Sequence, residues 1–379
     1  MARSFDVAIA GLGAMGSAAA YNLARRGRRV IAFDRYAPPH AMGSSHGRTR
    51  IIREAYFEDP MYVPMIRRAY EAWEDLERVS GRTLLRRTGG IMIGPERGAL
   101  VTGSRASAEA HGVEHRLLPA DAIRREYPAF QPPDDMVGIV EDRAGVLFVE
   151  ESISAFLEHA ARAGAELRAN EPVSEWAASG DGVRVTTSLG EYTADRLIVA
   201  AGAWARTLVP DVDLPLRVAR QVLHWFEPTA HADEYGPERC PISLWELDSG
   251  RVFYTLPDFG DGLKIGIHHE GETVADPSAV RRTVSPEEDA AMAEIMRRFL
   301  PRGRARQRAT SVCLYTNTPD SHFILDAHPV HAQVIVASPC SGHGFKFASV
   351  IGEILADVII EGSTGFDLSR FEMRGEGRG

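Results

Sequence analysis

Gly11, Gly13 and Gly16 stand at the spacing with which a backbone can wrap an anionic diphosphate. In such a turn the first glycine allows the sharp bend, the second lets main chain approach the phosphates, and the third lets a helix lie against its strand. The phosphates then rest on the free amides and positive dipole end of that helix, which opens with Ala14 and Met15. Asp34 ends the next apolar run, where a carboxylate accepts hydrogen bonds from both ribose hydroxyls and repels a 2′-phosphate. NADP is therefore the least suited dinucleotide, and the fingerprint leaves FAD and NAD open. A second glycine pair, in Gly342-His343-Gly344-Phe345-Lys346, can bring backbone close to a flat ring just before a helix. The N-terminal amides of that helix could stabilise negative charge gained by the ring on reduction.

These residues need a strand–helix–strand unit, and the pattern predicts one. Residues 5–10 read as a buried strand, 14–26 as a helix stopped by Gly27, and 29–33 as a second strand. Residues 38–59 read as a polar, glycine-rich loop, followed by a helix over 61–79. Short strands are predicted around 83–94 and 138–148, a helix over 150–163 capped by Gly164, and a meander over 173–193. Residues 196–200 read as a separate buried strand running into Ala201, Gly202 and Trp204, and 216–268 as a strand-rich antiparallel stretch. Ser285-Pro286-Glu287-Glu288 is a capping box opening a helix to about residue 299. Strands near 311–315, 322–325 and 334–337 precede a helix over 345–360, and the tail from Arg370 reads as frayed.

A chain of 379 residues suits two domains. Its 43 Lys and Arg against 52 Asp and Glu make it acidic overall, which argues against nucleic acid or anionic lipid as partner. It lacks the apolar run of ~18 residues that a membrane span needs and reads without a signal peptide, so the cytoplasm is the expected compartment. Cys240, Cys313 and Cys340 are odd in number and far apart, which speaks against a disulfide framework or a zinc cage. His268, His269, His322, His328 and His331 form no recognised ligand pattern, so no metal site is expected.

Three further segments carry a resemblance. They are Gly43-Ser44-Ser45-His46-Gly47-Arg48-Thr49-Arg50-Ile51-Ile52-Arg53, Cys313-Leu314-Tyr315-Thr316-Asn317-Thr318-Pro319-Asp320, and Ser341-Gly342-His343-Gly344-Phe345-Lys346-Phe347. With the glycine turn at 11–16 and the segment 193–204, whose Ala201, Gly202 and Trp204 resemble a second FAD contact, they resemble, in order and over nearly the whole chain, the monomeric sarcosine oxidase and N-methyltryptophan oxidase family of the D-amino-acid oxidase superfamily. The resemblance implies an α/β fold: a doubly wound Rossmann-type FAD-binding domain from residues 1–85, 142–214 and 310–379. A mostly antiparallel substrate domain from 86–141 and 215–309 is interleaved with it.

The resemblance implies FAD, held as a thioether by Cys313. Further FAD contacts are implied for Arg35, Ser44, Ser45, Arg48, Thr49, Arg50 and Val173, and for Gly342, His343, Gly344, Phe345 and Lys346. Arg53 and Lys346 match a clamp for the substrate carboxylate, a role suited to the planar fork of arginine. Arg50 and Lys264 match basic residues beside the flavin, while His268, Tyr254, His46 and Tyr315 match polar residues of the cavity. Three departures are visible. Ser45-His46 replaces a histidine pair, Arg48 replaces an acid, and Leu244 stands where a methionine is usual near the ring. The implied activity is oxidation of an N-methyl or cyclic secondary amino acid by a monomeric flavoprotein, with dioxygen reduced to hydrogen peroxide. A flavin dehydrogenase passing electrons to another acceptor, an NAD-dependent dehydrogenase and an inactive FAD scaffold are the alternatives.

Overall fold

In the computed structural model, which describes residues 4–373, two large sheets share the chain with a small third. Ser4–Ala10 lies inside the first sheet, parallel to Val30–Phe33 on one side and to the later half of Gly190–Val199 on the other. Glu166–Arg168 and Val334–Ser338 extend it in parallel, and Ile324–Ala327 closes one edge antiparallel. The central stretches, residues 7–10, 30–33, 197–199 and 334–337, are apolar and buried because helices or loops cover both faces. The two strands expected at 191–193 and 196–200 are one. Gly190–Val199 pairs antiparallel with Gly182–Thr187 by its first half and parallel with Ser4–Ala10 by its second. Asp195 and Arg196, the polar interruption, are exposed where it changes partner.

Helix Ala14–Ala24 is buried on nearly every face, between helices Val149–Arg162 and Ala348–Glu361. Only small side chains allow that approach: a Cβ on Gly352 would lie 2.6 Å from the main-chain carbonyl of Ala18. Helix Tyr62–Ser80 is amphipathic, burying Tyr62, Ile66, Tyr70 and Trp73 and ending at the left-handed Gly81. Its Trp73 Nε1 donates to the carbonyl of Lys346 at 2.9 Å, which fixes the backbone of the second glycine segment. That segment opens with a short 3₁₀ turn, Phe345–Phe347, before the helix proper begins at Ala348.

The second sheet runs from Glu272–Thr273 through Arg217–Glu227, Leu263–His268, Val252–Leu256, Ile242–Glu246, Gly90–Pro95 and Met136–Glu141 to Arg116–Pro119. It is antiparallel except where Ile242–Glu246 meets Gly90–Pro95. Strand period 2 sorts its side chains. Leu263, Ile265, Phe253 and Trp245 pack with Met292, Ile295 and Phe299 of helix Pro286–Phe299, whose capping box forms as the sequence predicts. Lys264, His268, Tyr254 and Leu244, at the alternate positions, are left for the opposite face. Arg306–Asn317 pairs along its whole length with Arg217–Glu227. Residues 310–317 thus belong to this sheet, across the boundary expected at 310.

Within the loop expected over 38–59, Thr49–Ile52 forms a strand of the third sheet, paired with Gly145–Phe148. Four residues between glycines and polar groups carry too little local pattern; the partner lies some hundred residues away. The tail is docked further than expected, since Phe371 is buried against Tyr62 and Phe323. Residues 374–379 lie outside the described residues. Among the described residues no helix is long and apolar enough to cross a membrane.

The contact between Gly352 and Ala18 makes a fold-level prediction. Gly352→Ala should lower the stability to chemical unfolding by about 1–3 kcal/mol, the usual cost of overpacking. Gly365→Ala, where an added Cβ meets nothing, should not.

Candidate active site

A cleft crosses the C-terminal ends of the parallel strands and continues to the face of the second sheet. Its first part is lined by Gly11, Gly13, Ala14, Met15, Asp34, Arg35, Val173, Ala201, Gly202 and Trp204. Gly11 holds φ +103°, and a Cβ there would stand 2.4 Å from the carbonyl of Ala200. Gly16 lies behind the cleft, where a Cβ would strike the Gly11 carbonyl and separate helix from strand. Asp34 accepts the amide of Leu12 on Oδ2 at 2.7 Å and that of Tyr36 on Oδ1 at 2.9 Å. The Ala14 amide, at the start of the helix, donates to Ser45 Oγ at 3.2 Å. Arg35 lies over the Trp204 ring, and Ser278 Oγ accepts from both side chains.

At the other end the cleft is lined by Ser44, Arg50, Cys313, Tyr315, Gly342, His343, Gly344, Phe345 and Lys346. Cys313 is buried, and its Sγ receives an Arg50 N–H at 3.5 Å and lies 3.4 Å from the carbonyl of Ser44. Arg50 also donates to the carbonyls of Ser44 at 2.8 Å and Thr49 at 2.9 Å. Lys264 is 2% exposed and donates to the carbonyls of Gly47 and Thr49, both at 2.7 Å. Burial, then Arg50, depress its pKa well below the usual lysine range. His46 is buried beside these cations and is held neutral, its pKa pushed down to about 3 by burial and then by Arg50 and Lys264. Thr49 contributes its carbonyl. The Arg48 side chain is turned away from the cleft to pair with Asp261 on the surface.

Arg53 and Lys346 meet around Tyr56. Arg53 is fully buried, with one arm on the carbonyl of Ala55 and the other on Glu58 Oε2, both at 2.6 Å. Its guanidinium lies between the rings of Tyr56 and Phe57, 4.5 and 4.8 Å away. Burial works against the Glu58 carboxylate, but Arg53, His343 and Lys346 outweigh it and hold its pKa at about 2. Lys346 Nζ donates to the carbonyl of His343 at 2.8 Å and to Tyr56 Oη at 3.3 Å. Its pKa is drawn down to about 7, chiefly by burial. His343 Nε2 faces the carbonyl of Ser321 at 2.9 Å, so that nitrogen carries the ring proton and Nδ1 accepts from Tyr56 Oη at 2.7 Å. His268 Nδ1 lies 3.3 Å from Tyr315 Oη. Tyr254 packs with Leu223, Trp225 and Cys313, and burial raises its pKa to about 12.

The donors present fit FAD. A carboxylate and glycine-bared amides lie at one end, and a sulfur and cations at the other. The buried Thr316 Oγ1, on the cleft wall, has no partner within the chain. Sequence reasoning missed Glu58, Tyr56, Tyr36, His40 and Glu150. Tyr56 and Glu150 find their partners through long-range packing, whereas Tyr36 and His40 lie close to Asp34 in the chain and Glu58 close to Arg53, which were the available signals. Away from the cleft, folding gathers Asp211, His328 and His331, a cluster no sequence pattern announced. His328 Nδ1 accepts the amides of Val330 and His331, which puts its proton on Nε2, toward Asp211.

The family model described as FAD dependent oxidoreductase matches residues 6–358. The chain is 41% identical to monomeric sarcosine oxidase of Streptomyces avermitilis over 99% of this chain and 98% of that protein. It is 35% identical to N-methyl-L-tryptophan oxidase of Salmonella agona over 97% and 98%. Among solved structures, the amino acid oxidase NikD in its open form is similar at TM-score 0.86 and 25% identity, covering 99% of this chain and 98% of that one.

The Arg53–Glu58 pair generates a prediction with a definite sign. The folded pKa of Glu58 lies below its ordinary value of 4.5. Its contribution to stability is therefore present above about pH 4.5 and is lost as pH falls toward 2. Glu58→Gln should cost about 3–5 kcal/mol at pH 7 by stranding Arg53, and the gap from wild type should close on acidification. Denaturant unfolding at pH 7 and pH 3 checks both.

Proposed function

Because this chain belongs to the FAD-dependent oxidoreductases, in the branch of monomeric sarcosine oxidase and N-methyl-L-tryptophan oxidase, we propose that it is an oxidase of N-methyl or cyclic secondary amino acids. The observation that carries this reading is the convergence of Lys346, Arg50 and Cys313 at the end of the cleft remote from Asp34, with Lys264 buried on the loop that also holds Arg50 and Arg53 buried beside Lys346 on Tyr56. Bound FAD supplies a two-electron acceptor that takes a hydride equivalent from the carbon beside the amine nitrogen and passes the electrons to dioxygen, giving hydrogen peroxide. The product imine is hydrolysed by water, so no side-chain nucleophile is required.

The protein's own residues bind and orient. Lys346 has two of its three N–H bonds committed to His343 and Tyr56, leaving one for the substrate carboxylate. Arg53 completes that anchor, and the substrate carboxylate competes with Glu58 for it. Tyr254, Tyr315 and His268 wall the space for the amine, with His268 neutral because burial lowers its pKa. Lys264 offers a fixed cation where negative charge develops on oxygen. Cys313 is the residue we assign to the thioether, with Arg50 beside the sulfur.

Two measurements test this. A peroxide-coupled screen of sarcosine, N-methyl amino acids, L-pipecolate and proline enantiomers should find turnover. Lys264→Met should then slow flavin reoxidation by oxygen about 100-fold, the scale of losing one such electrostatic group, with much less effect on anaerobic reduction by substrate. Reduction without peroxide would instead favour a dehydrogenase. In the second, acid-denatured protein should stay yellow with flavin on the Cys313 peptide, and Cys313→Ser should release it. Flavin lost wholly to the supernatant from matured wild-type protein would refute the linkage.

A further inference from the structure

Gly47 and Arg48 are consecutive residues in the left-handed region, at φ +88° and +66°. The turn they make aims their successive amides into one concavity of the kind that receives an anion. Here the chain supplies the anion. The Gly47 amide donates to Glu150 Oε1 at 2.8 Å, and the Arg48 amide donates to Oε1 at 3.2 Å and Oε2 at 3.0 Å. Glu150 stands in the first turn of helix Val149–Arg162, where the helix dipole also favours a carboxylate. The reverse side of the same loop carries the opposite sign, since the carbonyls of Gly47 and Thr49 hold the ammonium of Lys264.

We propose that Glu150 is a positioning residue for Lys264: seated on the amides of Gly47 and Arg48, it fixes the carbonyls that hold the ammonium and supplies the negative charge that faces it. This deepens the reading of Lys264 given above and does not depend on what Lys264 does to oxygen.

The surroundings of Lys264 make that charge matter. Arg50 on the strand Thr49–Ile52 opposes its protonation, while Glu150 favours it; Cys313 on Arg306–Asn317 would do so as a thiolate but carries no charge in the thioether assigned to it. His46 on the adjoining loop is neutral. Tyr254 on the neighbouring strand Val252–Leu256 is un-ionised, with its pKa near 12, and from Arg217–Glu227 the Trp225 ring faces Nζ at 5.6 Å. Glu150 is thus the carboxylate among the groups that act on Lys264 most strongly. Residue choice points the same way. Of the 43 basic residues only Lys264 and Lys346 are lysine, and both are buried at the site. Arginine cannot be neutralised in a protein, whereas a buried lysine can. Where every cation but Lys346 is otherwise arginine, a lysine at this position needs a neighbour that keeps it charged.

The scarcity of lysine gives a direct test. The FAD-loaded protein labelled with ε-¹³C lysine should show two side-chain resonances, that of Lys264 being absent in Lys264→Met. In Glu150→Gln the amide oxygen at the Oε1 position can still accept from Gly47 and Arg48, so the loop keeps both amide contacts while the charge and the second Arg48 bond, to Oε2, are lost. The titration midpoint of Lys264 should then fall by about one pH unit, a tenfold loss of proton affinity and the lower end of the effect of a nearby opposite charge. The basic limb of flavin reoxidation should move with it, and thermal stability should not. Glu150→Asp, which keeps the charge, should titrate near wild type. A Lys264 midpoint in Glu150→Gln that coincides with wild type, or a Lys264 equally charged in both across the whole range, would reduce Glu150 to a filler of the amide concavity. Failure of the oxygen role would show separately, as unchanged reoxidation in Lys264→Met with Glu150 intact.

Discussion

Much of the site follows from one constraint: the cations held by the loop at residues 41–49 must be satisfied without a carboxylate in direct contact. A carboxylate in direct contact would cancel the charge that an anionic ligand meets. The chain answers with carbonyl oxygens. Residues 41–49 present those of Ala41 and Met42 to Arg282, of Ser44 and Thr49 to Arg50, and of Gly47 and Thr49 to Lys264. Carbonyl dipoles solvate a cation while leaving its net charge in place. The loop must be irregular to aim so many carbonyls one way, and the left-handed residues Gly47 and Arg48 are where it turns.

Arg53, proposed above as part of a carboxylate anchor, is built on the other solution. Arg53 is neutralised by Glu58 and enclosed by two aromatic rings, so it is rigid before any ligand arrives. Its segment is held in turn by the buried Glu141, whose two oxygens accept the amides of Glu54 and Ala55 at 2.7 and 2.8 Å. Lys346 sits opposite with a pKa of about 7, and its contact to Tyr56 Oη is oriented by a ring proton that the Ser321 carbonyl keeps on His343 Nε2. The two cations therefore differ in kind. Arg53 is always charged and already paired, while Lys346 is unpaired and readily discharged.

The interleaving of the two large sheets makes these contacts possible. Cys313 and Tyr315 lie two residues apart on one strand of the second sheet and so share a face. Lys264 and His268 share the same face on Leu263–His268 by the same alternation. The glycine segments, by contrast, lie at the ends of parallel strands, where helices begin. The cleft joins the two because the chain crosses between the sheets several times.

Local patterns in the sequence were enough to define the strand–helix–strand unit with its Gly11, Gly13, Gly16 and Asp34, the capping box at Ser285, and the strand-rich character of residues 216–268. In each case the determining interactions lie within a few residues or repeat with a fixed period. The resemblance of the segments at 43–53, 313–320 and 341–347 pointed to the site residues beside the ring. Tertiary structure alone decided the rest. It made Thr49–Ile52 a strand, merged residues 190–199 into one strand with two kinds of partner, and turned the Arg48 side chain out to Asp261. It also brought Glu58 to Arg53, His343 to Tyr56 and Glu150 to the amides of Gly47 and Arg48. Apart from Glu58, these partners lie far apart along the chain. Hydrogen bonds and charge pairing act over a few ångströms of space, and a linear pattern carries no record of which distant groups folding will place within that reach.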